Sequence, residues 1–192
     1  VNIRLNDAYW NFQAAAILII VLGYGFIRTS KYNYAYGEKI SVGIVQPNID
    51  QYKKWDNSYT DEIIKTLKES AEQFRDKELD IIIYPETAMP GFLQSDIKLQ
   101  ELIKNISGFA QLNLIGAPSV YDGRVYNSVL AIKKDGSILN KHNKNHLVIF
   151  GEYIPLRKHL SKYFGVLNSL GDFSKAKAMQ IFKYNNISAG PT

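Results

Sequence analysis

Three ionisable residues stand where their types and neighbours could do chemistry. Lys144 and Glu152 lie in NKNHLVIFGEY, residues 143–153, on either side of the apolar run Leu147, Val148, Ile149 and Phe150. A solvated face does not need that apolar run, and a core does not accept the charges unless they are paired. Glu86 directly follows another apolar run, in IIIYPETAMPG, where Pro85 and Pro90 stiffen the turn. A carboxylate of raised pKa can act as a general base. An ammonium held beside it can stabilise an oxyanion. Each residue also has a plain alternative: a helix-start glutamate for Glu86, a solvated loop lysine for Lys144, and for Glu152 a structural carboxylate that accepts backbone hydrogen bonds. The trio contains no nucleophile, and covalent acyl chemistry needs an activated Ser, Thr or Cys.

Several elements must position these residues. KISVGIVQPNI is a β-rich run ended by Pro47 and Asn48. SYTDEIIKTLKESAEQFRDK places Ile63, Ile64, Leu67, Ala71 and Phe74 at helical spacing, with Ser58 and Asp61 as the expected start. LDIIIYPE is a short continuous apolar run, as expected of a strand buried on both faces. SDIKLQELIKNISGFAQ returns to helical spacing through Leu99, Leu102, Ile103, Ile106 and Phe109, and LNLIGAP is another short strand. RVYNSVLAIKKDGSILNK predicts a hairpin turned at Lys134, Asp135 and Gly136. MQIFKYNNISAG predicts one or two further strands, after a stretch from Leu156 of weak periodicity. The alternation implies an α/β sheet of mixed direction. Strands of such sheets end where ligands bind, and Glu86 lies at such an end.

The composition narrows the class. The chain has 192 residues, 46% of them hydrophobic and 21% charged, which suits one globular domain with a sizeable core. The net charge of +5 favours anionic surfaces. No basic stripe is interleaved with stacking aromatics, so nucleic acid is not an expected partner. There is no cysteine, hence no disulfide framework and no thiolate metal site within these residues. His142 and His146 have helical metal-pair spacing, but the Asn-Lys-Asn between them is a poor helix and no HExxH pattern forms. No metal and no cofactor are expected.

The start of the chain differs from the rest. AYWNFQAAAILIIVLGYGFI, residues 8–27, carries no charge. Twenty helical residues reach about 30 Å, the thickness of a bilayer's hydrocarbon core. Tyr9 and Trp10 at one end, with Tyr24 and Phe26 at the other, suit interfacial aromatic belts. A membrane helix over residues 1–39, connector included, is therefore expected before a domain over 40–192. A buried core helix and a signal peptide are the alternatives; the second fits poorly, because no basic start precedes the apolar run.

Three pieces, in order, carry a resemblance: VGIVQPNID, DIIIYPETAMPG and NKNHLVIFGEYIPLR. Together they resemble the carbon–nitrogen hydrolase (nitrilase) superfamily, whose catalytic triad is Glu–Lys–Cys. YPETAMP, HLVIFGEYIPLR and QYKKWD, with a hydrophobic helix ahead of the domain, look more specifically like its apolipoprotein N-acyltransferase branch. The resemblance implies a partial nitrilase-like α-β-β-α sandwich. It implies Glu86 as general base and Lys144, chosen over Lys141 by the K-x-H-L pattern, as stabiliser of the tetrahedral intermediate. It further implies Glu152 as a second glutamate needed near the site and Trp55 as a substrate-binding tryptophan. His142 stands where Tyr is usual, Ile149 where Pro is usual and Tyr84 where Trp is common. The cysteine is absent, and its expected place is shortly after residue 192, so the piece by itself is expected to be inactive.

The implied reaction is N-acylation of the diacylglyceryl-cysteine at an apolipoprotein N-terminus, with a phospholipid as acyl donor, through a thioester. Expected partners are that phospholipid, the apolipoprotein N-terminus and the membrane, with a monomeric protein. The alternatives are a membrane-tethered amidase or nitrilase acting on a small C–N bond and a non-catalytic binding domain. MPGFL at 89–93 and GVLNSLGDF at 165–173 are the expected exposed apolar loops at the membrane face. Arg28, Lys31 and Lys39 outnumber Arg4 across the helix, which by the positive-inside tendency puts the domain in the cytoplasm. The resemblance instead implies the outer face of the bacterial inner membrane, and that is the expectation adopted, because large domains translocate largely regardless of flanking charge.

Overall fold

The computed structural model describes residues 3–31, 38–50, 52–149, 151–153, 155, 173–178 and 180–190. The chain divides into two compact units, Val1–Lys39 and Ile40–Thr192. The first contains the helix α1, Ile3–Lys31. Its stretch Tyr9–Lys31 is long and apolar enough to cross a membrane, and none of it is buried within the protein. Its 23 residues span about 34 Å at 1.5 Å per residue.

The second unit is built on a five-stranded mixed sheet. In chain order its elements are β1 (Val42–Ile44), α2 (Thr60–Glu72), β2 (Leu79–Ile83), α3 (Ile97–Ile106), β3 (Ala110–Tyr121), β4 (Arg124–Lys133) and β5 (Ile138–Asn143). The strands lie side by side in that same order. β1, β2 and β3 are parallel, and β3, β4 and β5 are antiparallel. The last described elements, β6 (Phe182–Tyr184) and β7 (Ile187–Ala189), form a separate antiparallel pair.

Alternation of side chains across the strands gives the sheet two apolar faces. Ile82 and Ile132 share one core with Ile63, Leu67 and Ala71 of α2 and Leu99, Leu102, Ile103 and Ile106 of α3. Their sequence neighbours Ile81 and Ala131 point the other way, with Leu112, onto Phe182 and Ile187 of the terminal hairpin. One layer is therefore helical and the opposite one, as far as described, is β.

Local signals account for the helix boundaries. Asp96 accepts hydrogen bonds from the backbone N–H groups of Lys98 and Leu99, capping α3, an interaction typically worth about 1 kcal/mol. α2 begins at Thr60 rather than on a Ser58 cap. The carboxylate that organises its entry is Asp56, which accepts from the Ser58 N–H in the short 3-10 turn Asn57–Tyr59.

The strands differ from expectation in length. β1 has three residues, and β3 has twelve because it continues through Pro118 into the β4 hairpin. The turn between β3 and β4, Asp122-Gly123, has positive φ at both residues, the conformation that suits a tight hairpin. The Asp122-Gly123 pair, not singled out in the sequence, is a dipeptide that such turns favour. The Lys134-Asp135-Gly136 turn is where the sequence put it, with Gly136 at φ +82°. β2 is not buried along its whole length: Ile81 and Ile82 are buried, but Ile83 is exposed, as is its neighbour in register, Ile44 of the edge strand β1. MPGFL is not an exposed loop. Met89 is 1% and Leu93 5% exposed, because both pack into the helix-side core.

Candidate active site

Glu86 leaves the carboxyl end of β2. The strand's pairing runs one residue beyond Ile83, through the Tyr84 N–H to the Leu114 carbonyl at 2.9 Å. The turn then closes on Gly116 of β3, whose carbonyl accepts the Met89 N–H at 3.1 Å. Thr87, immediately after Glu86, has φ +50°. This is the left-handed region, which a β-branched residue rarely occupies. Tyr84 beneath the turn is buried, and burial pushes its phenol above the ordinary tyrosine range.

Lys144 is the first residue after β5. Its N–H donates to the Asn127 carbonyl at 2.8 Å, so it prolongs the β4–β5 ladder by one rung. On the other side its carbonyl accepts the Ala176 N–H at 3.1 Å. Glu152 lies in a tight turn, its N–H donating to the Val148 carbonyl at 2.8 Å.

These three side chains meet. Lys144 Nζ donates to Glu86 Oε1 at 2.8 Å and to Glu152 Oε1 at 3.1 Å. It stands equally close to Glu152 Oε2, at 3.1 Å. Glu152 Oε2 also accepts the Val148 N–H at 2.8 Å. A fourth member, not singled out in the sequence, is Asn127 of β4. Its Nδ2 donates to Glu86 Oε1 at 2.6 Å and to Glu152 Oε1 at 2.8 Å. Only the YNS signal inside the β4 run could have drawn attention to it, and a strand-interior Asn has no distinctive spacing.

The two carboxylates are not equivalent. The Glu152 side chain is 12% exposed and both its oxygens are engaged, whereas that of Glu86 is 60% exposed. Burial pushes Glu152 up, but hydrogen bonds from the Val148 N–H, Asn127 and Lys144 outweigh it and hold the group below the ordinary carboxylate range. Burial likewise lowers Lys144, but the hydrogen bonds and charges of Glu86 and Glu152 raise it more, leaving it above the ordinary lysine range. The cluster thus holds a committed ammonium, a committed carboxylate and a more accessible carboxylate.

One cavity adjoins the cluster, and a second borders the first. The first, of about 300 Å³, is lined by Glu86, Asn127 and Lys144 together with Tyr84, Gly116 and His142. The second, of about 480 Å³, is lined by Leu147, Ile149, Tyr153 and Phe173. Asn145 and His146 border both.

Lys141, the alternative lysine, sits elsewhere, its ammonium 5.2 Å from the Tyr121 ring centre. His142 is buried, which lowers its pKa, and its Nδ1 accepts the Gln180 N–H at 3.1 Å. The backbone of Trp55 ends the 3-10 turn Lys53–Trp55, next to Lys54, whose Nζ reaches the Glu86 carbonyl at 3.4 Å. The Trp55 side chain lies outside the described residues, as does GVLNSLGDF apart from Phe173.

Comparison with known proteins agrees with this architecture. The carbon–nitrogen hydrolase family pattern matches residues 41–190. The chain is 31% identical over 188 residues to an apolipoprotein N-acyltransferase of Aquifex aeolicus, covering 91% of this chain and 39% of the relative. It is 35% identical over 178 residues to one of Agrobacterium fabrum, covering 86% and 33%. The chain therefore spans between about a third and two fifths of the length of these relatives. Among solved structures, a carbon–nitrogen hydrolase superfamily protein of Xanthomonas campestris shares the fold at a TM-score of 0.57 and 13% identity, over 81% of this chain and 53% of that one. The match over most of Ile40–Thr192, together with the mixed sheet, places the chain in a family: it belongs to the carbon–nitrogen hydrolases.

Proposed function

We propose that this chain is part of an apolipoprotein N-acyltransferase, in which Glu86, Lys144 and Glu152 serve a cysteine located beyond Thr192. The observation that carries the reading is the contact of Lys144 Nζ with both glutamates, across 58 residues of sequence to Glu86 and eight to Glu152. Glu86, with its accessible carboxylate, takes the thiol proton. The thiolate adds to the ester carbonyl of a phospholipid acyl chain. The oxyanion that forms is stabilised by Lys144. The C–O bond breaks, Glu86 returns the proton to the leaving alkoxide, and lysophospholipid departs from the thioester. The α-amine of a diacylglyceryl-cysteine then attacks the thioester. Its proton passes through Glu86 to the released thiolate, and an amide is left on the lipoprotein. Glu152 holds Lys144 in place, and Trp55 contacts substrate.

Two further features support an acyl donor rather than a small amide. The cavity bordering the charged one sets the apolar Leu147, Ile149, Tyr153 and Phe173 beside Asn145, His146 and Lys175, a lining that suits the junction of a hydrocarbon chain with a polar headgroup. A helix long and apolar enough to cross a membrane precedes the domain. The protein then works at the bacterial inner membrane, with this domain on its outer face and acting as a monomer.

The test is an assay of the full-length protein with phospholipid and a diacylglyceryl lipopeptide, against a panel of small amides and nitriles. Transfer of an acyl chain to the lipopeptide amine is expected. Hydrolysis of a small amide without acyl transfer would replace this reading with a membrane-tethered amidase, and no turnover of either with a binding role.

A further inference from the structure

Asn127 contributes the one neutral side chain to a ring of four polar atoms. Its Nδ2 and Lys144 Nζ are the donors, and Glu86 Oε1 and Glu152 Oε1 are the acceptors, each oxygen touching both nitrogens. Asn127 is 6% exposed and anchored in mid-β4, paired in register with Pro118 of β3. Its backbone carbonyl also fixes the start of Lys144. An amide NH2 has two hydrogens, one for each carboxylate, and cannot take a proton from either. A hydroxyl has one hydrogen. A carboxylate would add a third negative charge at hydrogen-bond distance from the other two.

We propose that Asn127 is a positioning residue whose NH2 group holds Oε1 of Glu86 and Oε1 of Glu152 on either side of Lys144, leaving Oε2 of Glu86 as the atom that takes and returns the proton. The proposal rests on the reading of Glu86 as general base. No described residue donates to Glu86 Oε2, whereas Oε1 has two donors. Placement of this kind acts on rate rather than on substrate affinity, because a general base must lie within hydrogen-bond reach of the proton it removes. The charged or titratable groups around Glu86 are Lys144, Glu152, Lys54 at its carbonyl, the buried Tyr84 beneath its turn, and His142 and His146 across the cavity.

The experiment measures thioester formation in single turnover, by mass spectrometry of the full-length protein with phospholipid, from about pH 5.5 to 9. Asn127→Asp keeps the shape and replaces the donor with a charge. Its rate near neutrality is expected to fall at least about 10-fold, with the acid limb of the profile displaced upward by about one pH unit or more. Steady-state acyl transfer, run alongside, supplies kcat and KM, and donor KM should stay within about 3-fold of the parent. An unshifted limb in a folded Asn127→Asp protein overturns the proposal. If Asn127→Asp does not fold, Asn127→Ser decides: kcat reduced about 10-fold or more at similar KM supports positioning, and an unchanged kcat refutes it. Glu86→Gln, run in parallel, separates the two ideas. An active Glu86→Gln protein removes the general-base reading itself, whereas an inactive one beside an unshifted Asn127→Asp profile removes only the role of Asn127.

Discussion

A β-carbon on Gly116 would stand 2.7 Å from the Cα of Glu86, 2.6 Å from the Thr87 nitrogen, and closer still to the Pro85 carbonyl oxygen. All three neighbours are backbone atoms, so none can rotate away. Glycine at this point of β3 lets the turn carrying Glu86 lie flat against the sheet, within reach of Asn127 and Lys144.

Gly116→Ala should therefore move the Glu86 turn as a unit. The expected cost is about 1–3 kcal/mol of stability, the usual range for overpacking, with a larger loss of activity than that cost implies. Thermal unfolding, together with acyl transfer at a temperature where the variant is folded, checks it. Normal activity would show that the turn tolerates displacement.

Lys144→Ala should lose a factor of about 10² to 10³ or more in acyl transfer, as removal of one oxyanion donor generally does. Lys141→Ala should not, because its ammonium is engaged over Tyr121. Rates for the two variants, measured side by side, distinguish the lysines.

The Glu152 carboxyl is held below its unfolded value of 4.5. A depressed folded pKa contributes stability that is present above the unfolded value and lost as pH falls through the folded one. The difference in melting temperature between the parent and Glu152→Gln should be full above about pH 5 and should shrink on acidification below 4.5. A difference that does not vary with pH would mean that the carboxylate's charge is not what holds the turn at Val148.

In α1, Ile19 is exposed within the apolar stretch Tyr9–Lys31. Ile19→Arg should weaken membrane insertion by about 2.5–3.5 kcal/mol if the helix spans a bilayer. Flotation of the expressed protein with membranes reads this directly. An unaffected membrane fraction would mean that the helix does not cross at that depth.

Much of this protein was legible from residue order alone. Helical spacing marked α2 and α3, short apolar runs marked β2 and part of β3, and Asp135-Gly136 marked a hairpin. These signals are local, because periodicity and turn chemistry act over a few residues. Charges beside apolar runs also pointed to Glu86, Lys144 and Glu152. The tertiary structure alone decided what local rules cannot carry. It brought Asn127, unremarkable inside its strand, against both glutamates, since a mid-strand side chain acquires its partners from sheet register. It required a glycine at 116, since only the packing of one turn on a neighbouring strand excludes a β-carbon there. It buried Met89 and Leu93, which read as a surface loop, because the helices above the sheet close over them.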